Sequence, residues 1–271
     1  MKYSQAESLV ASKNYSAAWK LYSELGTYKD SSDKILKILN DNSKNRAIDG
    51  MMMVFVPEGP FTMGSDNGSA DEQPVHTVSL SEFWIDQTEV TNGKYALCVL
   101  AEACTQPANL SSRTRSSYYG DSQFIDFPVI HVDWNQAKSY CQWAGARLPT
   151  EAEWEKAARG TDGRSYPWGE NIDKGFANYA GSDTAQAGSY ESGKSPYGAY
   201  DMAGNVQEWV EDWYGPYSNS PVTNPTGPAS GDQKVLRGGS WIDFSLNLRV
   251  SYRYRYSPGG RYFSDGFRCA R

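Results

Sequence analysis

Few residues in this 271-residue chain could do metal or nucleophilic chemistry, and their spacing narrows the options. Histidine occurs only at His76 and His131, 55 residues apart, which rules out a multi-histidine iron or zinc centre. His76 lies in the alternating run Val75-His76-Thr77-Val78-Ser79-Leu80, the pattern of a strand rather than of a ligand set. The four cysteines, Cys98, Cys104, Cys141 and Cys269, include no C-x-x-C pair. Thioredoxin-like redox chemistry and a zinc ribbon are therefore not expected. Four cysteines allow three disulfide pairings, and spacing does not choose among them. Disulfides would favour an oxidising compartment. No standard export signal opens the sequence, which favours the cytoplasm.

The elements that must position such residues come in two textures. Residues 2 to about 42 read as helix, with apolar stripes at Ala6, Leu9 and Val10, at Ala17, Leu21 and Leu25, and at Ile35, Ile38 and Leu39. Breaks fall at Asn14-Tyr15 and Gly26-Thr27. This stretch resembles one tetratricopeptide-like unit, too little for a solenoid, so residues 1–48 are expected to form a helical extension that packs on the main domain or on a protein partner. From Met51 the pattern changes. Val54 to Val56 and Phe61 to Met63 flank a Pro57-Glu58-Gly59-Pro60 turn signal. Thr91, Asp133 and Thr150 each stand where a helix N-cap belongs, Thr150 with Glu153 as a capping box. Beyond residue 160 almost no period is visible until Lys234 to Leu236. The expectation is an α+β, loop-rich domain over 51–271. Net charge is −6, so no basic footprint for nucleic acid exists, and the longest apolar run, Met51 to Val56, is far too short for a membrane span.

Eight motifs then occur in order: Phe61-Thr62-Met63-Gly64-Ser65; Glu89-Val90-Thr91-Asn92; Pro128 to Trp134; Arg147-Leu148-Pro149-Thr150-Glu151-Ala152-Glu153-Trp154-Glu155; Tyr166-Pro167-Trp168-Gly169; Asp201-Met202-Ala203-Gly204-Asn205-Val206-Gln207-Glu208-Trp209; Leu236-Arg237-Gly238-Gly239-Ser240-Trp241; and Gly266-Phe267-Arg268-Cys269. Together they resemble the formylglycine-generating enzyme, or sulfatase-modifying factor, domain family. The resemblance implies a loop-rich variant of the C-type lectin fold and a Cys141–Cys269 disulfide. It also implies calcium held by the Asp201 side chain, the carbonyls of Gly204 and Val206, and the Glu208 carboxylate, since a hard cation takes oxygen ligands of both kinds. The family's other calcium loop would begin at Asn178 and Tyr179; here it is shortened before Ser189, with Asp183 as the replacement ligand. The family's oxidases use two cysteines just after Arg-Gly-Gly-Ser, a thiolate pair suited to copper. Gly238 to Arg268 contains none, so no copper and no oxidase activity are expected. The histidine triad of the related sulfoxide synthases is missing as well. A catalytically inactive scaffold or a sulfatase-modifying oxidoreductase remains the alternative function.

Residues 242–265 contain no Lys, Glu, Gln, Met or Trp, although these five types make up about a fifth of the remaining chain. Randomising the adenines of Asn codons gives products that include Phe, Ser, Tyr, Leu, Ile, Asp, Arg, Gly and Asn, and none of those five. The segment thus resembles the variable region of a diversity-generating retroelement protein, spanning about 237–271. Its tyrosines, serines, glycines and arginines are also the composition of a paratope. The resemblance implies a non-catalytic binding protein whose unidentified protein or surface ligand meets Ile242, Asp243, Phe244, Ser245, Tyr252, Tyr254, Tyr256, Arg261, Tyr262, Phe263 and Ser264. These side chains are expected to face solvent as one patch.

Overall fold

The computed structural model describes every residue from Met1 to Arg271. Three helices come first, α1 (Lys2–Ala11), α2 (Tyr15–Leu25) and α3 (Ser31–Asn42), separated where the sequence breaks its stripe. Asn14 caps α2 by accepting from the Ala17 amide. Ala6, Ala18, Tyr22, Ile38 and Leu39 are buried in the same apolar cluster as Val54, Phe55 and Val56, so the helices share the core of the main domain. The strand β1 (Lys44–Asn45) already pairs with β2 (Met52–Val56), so sheet begins inside the stretch expected to be helical extension. Arg46 reinforces that joint with buried ion pairs to Asp49 and Asp86 at 2.6 and 2.7 Å.

The turn signal at 57–60 does not close a hairpin. The chain crosses there from one sheet to another. The first sheet has the order β1-β2-β5, with β5 at Phe83–Asp86. β3 (Gly59–Met63) instead joins β4 (His76–Leu80) and β7 (Val222–Thr223), and His76 is a strand residue. Three helices follow their expected caps: α4 (Asn92–Leu100) after Thr91, α5 (Trp134–Trp143) after Asp133 and α6 (Glu151–Arg159) after Thr150. Asp133 with Gln136 and Thr150 with Glu153 form full capping boxes, each satisfying two otherwise unpaired amides. The result is an α+β domain.

The third sheet corrects the sequence reading. Its central strand β6 (Gln207–Trp213) lies in the stretch that carries no visible period. It pairs in parallel with β10 (Asp265–Phe267) and antiparallel with β8 (Lys234–Arg237), which pairs with β9 (Arg253–Tyr256). The inward positions of β6 include Glu208 and Asp212, both buried, so period-2 apolar alternation is absent. The structure compensates Glu208 with Arg268, 60 positions later: the guanidinium grips both carboxylate oxygens at 2.7 Å. Phe267, Cys269 and Arg271 hydrogen-bond along β5 and its continuation, and Cys141–Cys269 closes the longest covalent loop. Cys98 and Cys104 are also bridged, which spacing left open.

Arg237 anchors the end of β8. Its side chain is fully buried and pairs with Glu155 of α6, which also holds Arg159 at 2.9 Å. The same guanidinium donates to the carbonyls of Val250, Ser251 and Tyr252 at 2.7 to 3.0 Å. Breaking one partner out of a buried ion pair costs about 3–5 kcal/mol. Arg237→Ala should therefore lower unfolding free energy by about that amount in denaturant titration. Arg237→Lys should recover only part of it, because an ammonium lacks the planar fork. A loss below about 1 kcal/mol in the alanine variant would show that the anchor is not structural.

Candidate functional site

The segment after Arg237 is held by its backbone. Gly239 has φ +64°, and a Cβ there would come 2.6 Å from the Asn247 carbonyl, so the turn requires glycine. Gly238, at φ +94°, lies against the Trp154 ring. Main-chain bonds then tie the segment to loops outside it. Gly181 and Ala180 donate to the carbonyls of Trp241 and Asp243, Val250 donates to Ser165, His131 to Tyr262, and Gln207 to Ser264. Inward-pointing arginines add side-chain ties. Arg249 pairs with buried Glu72, and Arg253 grips both oxygens of Glu151 at 2.7 and 2.8 Å.

The side chains left facing outward are mostly aromatic or apolar. Ile242, Phe244 and Tyr254 are 38%, 72% and 40% exposed, and Arg261 is exposed beside Asp133. Asp243, Ser245, Tyr252, Tyr256, Tyr262 and Phe263 are half-buried. The period of β9 explains part of this: Arg253 turns inward while Tyr254 turns out. The Tyr256 and Tyr262 rings meet edge to face at 4.6 Å, and Phe263 packs on Trp241 at 5.6 Å. Burial, then the charges of Asp265, Tyr256 and Asp243, push the Tyr254 hydroxyl up. Of the eleven positions expected to face solvent, only Ile242, Phe244, Tyr254 and Arg261 are exposed, and Ser264 departs furthest. It is buried because its carbonyl and hydroxyl serve the β6–β10 joint. Leu246, 70% exposed beside Phe244, was missed by the sequence reading. It lies in the same compositionally restricted segment, which was the available signal.

The calcium ligands implied by resemblance are placed differently. Glu208 is engaged by Arg268 and by the Trp154 indole at 2.7 Å; Oε2 takes two of these donors and Oε1 one, which leaves an acceptor site on Oε1. Asp201, at φ +55°, accepts from the Gly188 amide at 2.6 Å. Its buried neighbour is Glu89, one oxygen of which accepts from Asn205 while Oε2 has no partner. The carbonyls of Gly204 and Val206 receive no protein donor either. Burial first, then Asp201, pushes the Glu89 carboxyl well up. Unpartnered oxygens in a buried, acid-rich loop fit a hard cation, and Glu89 adds an acid that the resemblance did not name. No three His, Cys, Asp or Glu side chains converge as a cage, so main-chain carbonyls would have to complete the shell. The Asn178–Tyr179 loop does not fit. Asn178 donates to the Asp183 carbonyl, and the Tyr179 carbonyl takes the Lys174 ammonium. Asp183 accepts from Ser112, Thr114 and Thr184 and pins the 105–127 loop instead. No cysteine is free.

Comparison with known proteins agrees with this architecture. The family model for the sulfatase-modifying factor enzyme 1-like domain matches residues 39–271. A serine/threonine-protein kinase pkn1 of Chlamydia caviae is 40% identical over 81% of this chain, which spans only 38% of that relative's length. A formylglycine-generating enzyme of Streptomyces coelicolor is 35% identical over 80% of this chain and 88% of its own. Among solved structures, the Treponema denticola variable protein 1 superposes with a TM-score of 0.71 at 29% identity, over 84% of this chain and 98% of the other. The eight motifs, the α+β architecture and these matches agree: the chain belongs to the sulfatase-modifying factor enzyme 1-like domain family, with its C-type lectin-like fold.

Proposed function

We propose that this protein binds a protein or surface ligand non-catalytically, through a diversified face built by residues 237–271. One observation carries the reading. The segment with restricted composition is fixed through its own backbone by residues outside it, while Ile242, Phe244, Leu246 and Tyr254 project into solvent. Diversity is tolerated where packing does not depend on it, and exposed rings are a common source of binding energy. The likeness to a solved variable protein supports the same reading. The family's oxidase activity would need a free thiol pair, and all four cysteines are bridged. Sequencing the DNA around the gene tests the proposal. A near-copy of the codons for about 237–271 should lie nearby with a reverse transcriptase gene, differing only at adenines of the copy. Arg237, Gly238, Gly239, Trp241, Gly266, Phe267 and Cys269 should be unchanged. Differences spread evenly over all four bases would refute it.

A structural calcium ion at Asp201 and Glu89 forms part of the proposal. A ligand bound only to the native state stabilises it by mass action. Chelation should lower the melting temperature of the wild-type protein, and calcium should restore it. Glu89→Gln should abolish the response. A melting temperature indifferent to both chelator and calcium would remove the ion from the account.

A further inference from the structure

Beneath the outward face lies a buried carboxylate that this chain leaves half paired. Asp265 opens β10 and is 1% exposed. Its Oδ1 accepts from the Gln207 amide at 2.7 Å and the Ser264 hydroxyl at 3.1 Å. Its Oδ2 is buried and has no partner. Leaving a buried polar atom unpaired costs about 1–3 kcal/mol, and more for a charged group. Burial accordingly pushes this carboxyl up to about 6, with Asp243 adding to the rise. The Asp265 amide donates to the Tyr262 carbonyl at 3.4 Å, and the half-buried Tyr262 ring meets that of Tyr256, a neighbour of Tyr254 on β9, at 4.6 Å.

Cations of this chain are engaged elsewhere. Arg261 is bound to Asp133 at 2.7 Å, Arg253 to Glu151, and Arg249 to Glu72. Arg255 lies over the Tyr214 ring, 3.6 Å from Asp71. The spot therefore combines an unpaired carboxylate oxygen, a second acid at Asp243, and the tyrosine rings 254, 256 and 262. Carboxylate plus aromatic faces is the combination that recognises ammonium and guanidinium groups.

We propose that this face takes a cationic side chain of its ligand, an arginine or lysine, with Asp265 as the anchoring acceptor and Tyr254 and Tyr262 as the rings that move aside and pack against it. Tyr254 is 40% exposed, and exposed side chains change rotamer in picoseconds to nanoseconds; entry requires the Tyr262 ring to leave Tyr256 as well. Asp265 thereby joins the contact set, although sequence reading had stopped at Ser264. The inference rests on the binding-face reading above and names the ligand chemistry.

Titration of the full-length protein with N-acetyl-arginine amide, followed by NMR of the tyrosine ring resonances, provides the test. Saturable shifts are expected at Tyr254 and Tyr262. The isosteric neutral probe N-acetyl-citrulline amide should give none, a comparison that needs no mutant. Asp265→Asn should weaken the arginine probe by about tenfold or more, as expected for loss of one charge-assisted hydrogen bond. Equal response to the citrulline probe, absence of any response to arginine, or undiminished binding by a folded Asp265→Asn variant would overturn the assignment. A cation-blind face beside a gene with an adenine-mutagenised repeat would sink this ligand class alone. Absence of the repeat would sink the diversified-face reading instead.

Discussion

The buried Arg237 guanidinium sets the path of the outer segment, and it does so through carbonyl groups. It holds Glu155 on α6 and the Val250 carbonyl with one nitrogen of its fork and the carbonyls of Ser251 and Tyr252 with the other. A carbonyl is present whatever side chain its residue carries. The contact therefore constrains the chain without constraining the sequence at those positions. The main-chain bonds from Ala180, Gly181, His131 and Gln207 act in the same way. Arg249 and Arg253 extend the anchorage through their own side chains, reaching inward to Glu72 and Glu151. Two classes of residue in the segment follow from this geometry: Arg249, Arg253 and Leu248, which face the frame, and Ile242, Phe244, Leu246 and Tyr254, which face solvent.

Much of the frame was legible because local chemistry wrote it. Thr91, Asp133 and Thr150 stand at helix N-termini for reasons contained within four residues. The breaks at Asn14 and Gly26 are equally local. What stayed hidden depends on pairing across long separations. β6 reads as polar because Glu208 and Asp212 are buried in it, and the partner that makes Glu208 tolerable is Arg268. No window of ordinary length contains both. The 57–60 turn was legible as a turn, while the sheet that each flanking strand joins was not.

At the candidate site the same division applies. The restricted composition of 242–265 marked the segment, and paratope-like content suggested its use. Composition could not show that Ser264 turns inward at the β6–β10 joint, or that Leu246 stands out beside Phe244. Motif matching marked the Asp201 loop, and only the folded chain shows that Arg268 holds Glu208 there and that Glu89 is buried beside Asp201. The family scaffold is retained, Gly238 to Arg268 carries no cysteine, and the shared core runs on into α1–α3, which the family model covers only in part.

The central claim is that stability resides in the frame and is independent of the outward side chains. A pooled library answers it directly: Ile242, Phe244, Leu246 and Tyr254 randomised together to the residues reachable from Asn codons, with melting temperatures taken on some dozens of soluble members. Exposed substitutions away from special contacts usually change stability by no more than about 0.5 kcal/mol each. The account predicts that most members fold and that their melting temperatures cluster within roughly 5–10 °C of the parent. A library that is largely unfolded, or whose melting temperatures scatter as widely as those of buried-residue variants, would contradict it.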